Sequence, residues 1–131
     1  MPAYGIDTSL LVRLLTGQPP ADYQTTVNCL TALRTSQPEH ITAANIVIAE
    51  AYAVLQHHYG LAKPAARAAL LSVLTSGLIE PAAGDAVLEA LKTAKEPGLT
   101  DRLIALDYAR LGAITLTLDR KMASLPDCQK L

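Results

Sequence analysis

Two apolar runs in this chain each stop at an aspartate, and both have the length of a buried strand. The first is Tyr4-Gly5-Ile6-Asp7, where Asp7-Thr8-Ser9 supplies cap residues for a helix through Leu10, Leu11, Val12, Leu14 and Leu15. The second, Ala113 to Asp119, alternates apolar and polar residues in the period of a half-buried strand. If the two lie side by side in a parallel sheet, Asp7 and Asp119 meet at one edge, the edge at which open α/β sheets bind ligands. Alternatively, Asp7 merely caps its helix.

Between these runs the chain reads as alternating helices and short strands. Gly17-Gln18-Pro19-Pro20 ends the first helix, and Asp22 can cap a second with Val27, Leu30 and Leu33 on one face, closed by Ser36-Gln37-Pro38. Ile41-Thr42-Ala43 is a strand candidate, and Asn45 a cap for a helix from Ile46 to about His58. Pro64 opens a helix that runs to Leu74 and stops before Gly77. Leu78-Ile79-Glu80 is another short strand, Asp85 caps a helix ending near Lys95, and Thr100 caps the last main helix. Such alternation predicts an α/β fold with a parallel sheet.

Two more acids stand out. Glu50 sits among Ile46, Val47, Ile48, Ala49, Ala51, Ala53, Val54 and Leu55, a helix apolar on most sides, with no Lys or Arg within four residues. It needs a distant partner or an ion, unless it simply faces water. Asp101 complements the positive end of its helix, worth about 0.3–1 kcal/mol. It also shares a face with Ala105, Tyr108 and Gly112, whose small members predict close packing that brings Asp101 inward. Asp107 falls on another face and reads as a surface acid.

Asp7, Glu50, Asp101 and Asp119 together are hard oxygen donors suited to Mg²⁺ or Mn²⁺. Two such ions can activate a water and stabilise the leaving oxygen of a phosphodiester, so hydrolysis of nucleic acid is the chemistry this set fits best. Thr117, two residues before Asp119, could orient a water. The formal charge of -1 gives no global basic field, but with four carboxylates engaged the remainder is net positive. Arg13, Lys63, Arg67, Arg102, Arg110, Arg120 and Lys121 are then candidates for a basic rim.

Half of the 131 residues are apolar, without Phe or Trp, so the core must be Leu, Ile, Val and Ala. That length fits one domain over 1–131. Cys29 and Cys128 lack metal or disulfide spacing and read as free thiols in a reducing compartment. The first residues lack a basic leader region, and no run reaches the roughly 18 apolar residues of a membrane span. A cytoplasmic protein without a membrane segment is expected.

In their order and spacing, Asp7-Thr8-Ser9, Ile48-Ala49-Glu50, Thr100-Asp101-Arg102-Leu103-Ile104-Ala105 and Thr117-Leu118-Asp119 resemble a PIN-domain protein of the small VapC-like toxin kind. The resemblance covers essentially the whole chain. It implies a three-layer α/β/α sandwich with a central parallel sheet of about five strands, and Mg²⁺- or Mn²⁺-dependent endoribonuclease activity. The four acids would be metal ligands, with Thr8, Ser9 or Thr117 as secondary polar groups. It further implies an RNA substrate, a homodimer and a cognate antitoxin; the apolar helices between Ile46 and Gly77 are the expected assembly surfaces. Many relatives carry an acid or amide and then Phe after the last Asp, whereas this chain has Lys121 and Met122, which puts a second metal in doubt. A catalytically inactive interaction module is the alternative. An acid-cluster phosphohydrolase is another, although Ser9 stands where a dehalogenase-like enzyme wants its second Asp. No Gly-x-Gly-x-x-Gly follows the first strand, which removes a dinucleotide enzyme.

Overall fold

The computed structural model describes residues 4–36 and 40–131. The expected stop at Gln37-Pro38 therefore lies outside the described residues. Strand β1 (Tyr4–Ile6) leads into α1 (Thr8–Thr16), which Asp7 caps and Gly17 ends in the left-handed conformation at φ 68°. Helix α2 (Pro20–Ser36) follows, with Asp22 in its first turn rather than at its cap. Strand β2 (Ile41–Ala43) pairs parallel to β1 with Ile6 opposite Ala43, and β3 (Glu80–Pro81) pairs parallel to β2. Each of these parallel steps is made by a two-helix crossover, α1–α2 first and then α3 (Asn45–His57) with α4 (Lys63–Leu74).

The chain continues through α5 (Asp85–Lys92) and α6 (Leu99–Arg110) to β4 (Thr115–Thr117), a 3₁₀ turn at Met122–Ser124 and β5 (Cys128–Lys130). Strands β4 and β5 pair parallel with each other, so the five strands form sheets of three and two rather than one sheet of five. Strand β1 pairs with β2 and β4 with β5; the juxtaposition of β1 with β4 is not among the described pairings.

The core is aliphatic, as the composition requires. Leu11, Ile41, Ile48, Leu55, Leu70, Ile79, Val87 and Leu103 are its largest fully buried side chains. Helix α1 packs on α3, α3 on α4 and α6, and α5 on both α4 and α6.

Further local expectations change, among them the Asp85 cap, since Gly84 holds that position and Asp85 is the first residue of α5. Asn45 is not a cap: Ala44 holds that position, and Asn45 is buried with its Nδ2 donating to the Leu103 carbonyl at 3.0 Å and to Asp107 Oδ1 at 2.9 Å. Helix α6 begins after Gly98, not Thr100. Strand β4 inverts its pattern: Thr115 is buried with its hydroxyl unpartnered, while Ile114, Leu116 and Leu118 are 60%, 59% and 78% exposed. Alternation marks two faces of a strand without saying which one turns inward.

Candidate active site

Asp7 stands one residue beyond β1, exposed, at the start of α1. Its Oδ1 accepts the Ser9 hydroxyl at 2.7 Å and the Leu10 amide at 3.0 Å. The Leu10 amide first, and the Ser9 hydroxyl second, hold its carboxyl below the ordinary 3.8, since both donate to the charged form. Ser9 thus acts on Asp7 directly, and Thr8 is the half-buried first residue of the helix. Cap and ionised acid are the same group.

Glu50 lies in the second turn of α3, and the β1–β2 register starts that helix at the sheet end that carries Asp7. The expectation of a buried Glu50 is corrected: it is exposed, on a stripe with Ile46, Ala53 and His57. Asn45, Ile48, Ala51, Tyr52 and Leu55 make the buried stripe instead. Apolar residues on an exposed face misled the count, because Ala costs little in water and Ile46 is left 65% exposed.

Asp101 is half-buried in the first turn of α6 and lines a cleft of about 340 Å³ with Tyr52, Gln56, His57, Lys63 and Arg67. Asn45 meets Leu103 and Asp107, whereas Tyr52 to His57 lie by the start of α6, so α3 and α6 run antiparallel. Asp101 precedes by two residues the Leu103 carbonyl that Asn45 reaches, and it lies on the side of that contact toward the later turns of α3. On the shared face of α6, Ala105 is buried as expected, but Tyr108 and Gly112 are exposed.

Asp119 is exposed just after β4 and organises the following turn. Its Oδ1 accepts the Lys121 amide at 2.7 Å and the Met122 amide at 3.3 Å, and its own amide donates to Thr117 Oγ1 at 3.0 Å. Lys121 and Met122 thereby gain a role through their backbone, while the Met122 side chain is buried. Asp7 and Asp119 are alike in that each follows a strand and accepts from the next turn, Asp7 from one amide and a hydroxyl and Asp119 from two amides.

The oxygen chemistry of the four acids fits a hard divalent ion. Their placement does not: among the described residues no three His, Cys, Asp or Glu side chains are gathered so as to hold a metal. A larger cavity, about 710 Å³ between α1, α2 and α4, is lined by none of the four. The cleft beside Asp101 was not read from sequence as a unit. Its signal was Lys63 and Arg67, one helical turn apart at the opening of a helix with no acid in its first turn.

The strands of the three-stranded sheet are parallel and each is followed by helices, and acids stand beyond two strand ends, in a mixed α/β protein. The PIN domain family model matches residues 4–127, and the chain belongs to that family. PIN domains are generally nucleases and typically depend on divalent metal. Neither the curated proteins nor the solved structures give a match to the chain. No described helix is long and apolar enough to cross a membrane.

Proposed function

We propose that this PIN-domain chain is an endoribonuclease that hydrolyses RNA phosphodiesters with water as nucleophile, and that it serves in the cytoplasm as the toxin of a toxin–antitoxin pair. The observation that carries the reading is the family match over residues 4–127 in a chain that has an acid at each of the four motif positions. On their oxygen chemistry and motif order, though not on their present placement, Asp7, Glu50, Asp101 and Asp119 would be the ligands for Mg²⁺ or Mn²⁺. When bound, such an ion supplies Lewis-acid activation of water and phosphate.

The chain's own groups act before any ion arrives. Ser9 Oγ and the Leu10 amide keep Asp7 ionised and aimed, and the Lys121 and Met122 amides fix one oxygen of Asp119. Thr8 and Thr117 are secondary polar groups beside these carboxylates. A homodimer and an antitoxin complete the proposal, and exposed Ile46 and Tyr59 support the surface placed between Ile46 and Gly77.

The dispersal of the acids favours a second reading, a catalytically inactive interaction module of the same fold. Sequencing RNA ends after brief expression separates the two. New 5′-phosphate and 3′-hydroxyl ends that vanish with purified protein in chelator are expected. Products ending in 2′,3′-cyclic phosphate, or cleavage undiminished by chelator, reject water-driven, metal-dependent hydrolysis, and no cleavage at all leaves the interaction module.

A further inference from the structure

We propose that Lys63 and Arg67 clamp the phosphate backbone of the RNA strand in the cleft that Asp101 lines, an inference that rests on the ribonuclease reading. Both cations project from the start of α4 into a space of about 340 Å³ walled by the end of α3 and the start of α6. Spaced i,i+4, they lie on one helical face, about 6 Å apart along the axis. Two cations one turn apart can meet consecutive charges on a chain.

Among the described residues no ion pair accounts for these charges. Glu96 and Asp101 line the same cleft, yet among the described residues neither Lys63 nor Arg67 forms an ion pair. Lys63 occupies the first position of α4, where the helix dipole disfavours a cation, and no acid lies in that turn to offset it. Gln56 spends its amide nitrogen on the Tyr52 carbonyl at 3.1 Å, and His57 is exposed at the rim. The cleft is left with two cations, exposed Lys63 and half-buried Arg67, and two carboxylates, exposed Glu96 and half-buried Asp101, with no ion pair between them. A phosphodiester strand held there would pass the acid proposed for the chemistry.

The test is binding of a fluorescent single-stranded RNA, read by anisotropy in chelator over a range of salt. Each phosphate contact contributes a slope of about 0.7 in log K against log salt. Lys63→Gln and Arg67→Gln should each lower the slope by about that amount and weaken binding about five-fold at 0.1 M salt; the double variant should lose about 25-fold. Lys92→Gln, whose cation already pairs with Glu89, should leave the slope unchanged. No variant should melt below the wild type, and those that remove Lys63 from the start of α4 should melt slightly higher. A double variant with the wild-type slope, or a wild type that binds no RNA in chelator, overturns the clamp. Because binding is read without catalysis, failure to cleave RNA would sink the nuclease reading while leaving this measurement to decide its own question.

Discussion

The Asn45 side-chain amide donates to the Asp107 carboxylate at 2.9 Å, tying the first turn of α3 to the last turn of α6 across the core. The same nitrogen also donates to the Leu103 carbonyl, and Asn45 is only 4% exposed. One residue therefore fixes how the helices carrying Glu50 and Asp101 lie against each other.

Asn45→Ala should cost about 1–3 kcal/mol, since a buried donor is lost and its acceptors lose their partner. At roughly 3–5 °C per kcal/mol for a domain of this size, thermal melting resolves the change. A melting temperature within a degree of wild type would mean that the two helices are positioned by apolar packing alone.

Asp7 and Asp119 each combine a cap with a proposed role in cleavage, and substitution separates the two. Asn retains the acceptor oxygen, so Asp7→Asn and Asp119→Asn should melt near wild type but lose RNA cleavage. Asp7→Ala removes the cap as well and should melt below Asp7→Asn. Full cleavage by both Asn variants would leave these acids as caps only.

The donors on Asp7 give a pH dependence of definite sign. A carboxyl depressed below 3.8 contributes stability that is present above that value and is lost as pH falls through the lower folded-state value. Ser9→Ala removes the second-ranked donor, so the NMR titration midpoint of the Asp7 carboxyl should move up toward 3.8 while the Leu10 amide still holds it below. A midpoint that does not move would show that the hydroxyl does not act on the charged form.

Glu50→Gln tests an acid that is exposed. Without burial or a salt bridge to lose, the variant should melt within about 0.5 kcal/mol of wild type in chelator. If Glu50 is a ligand, Mn²⁺ should raise the wild-type melting temperature and raise that of the variant much less, with cleavage abolished. An unchanged metal shift together with undiminished cleavage removes Glu50 from the site.

The sequence made the helices and the parallel strands readable because their signals are local: Asp7 as a cap, Gly17 as a stop, Pro64 in a first turn. Burial was less legible. Helix α3 looked apolar all round, yet only its neighbours α1, α4 and α6 decide that Ile48 faces in and Glu50 faces out. Asn45 offered a cap locally, but a contact 62 residues away claimed its side chain. Strand β5 went unforeseen because Cys128-Gln129-Lys130 has no apolar run, its pairing coming from β4. The four acids were found by their order along the chain, whereas their separation along α3 depends on the antiparallel crossing of two helices, which no local pattern encodes.

Strand β4 and the residues that flank it present Ile114, Leu116 and Leu118 to water on a chain whose formal charge is only -1. Charge repulsion between molecules is then weak, and the stripe sits beside a backbone edge that β5 covers on one side only. These three side chains add to the apolar surface that Ile46, Tyr59 and Leu111 also expose. Replacing Leu118 with Lys would raise the concentration at which the chain stays dispersed without touching a single buried contact of the three-stranded sheet.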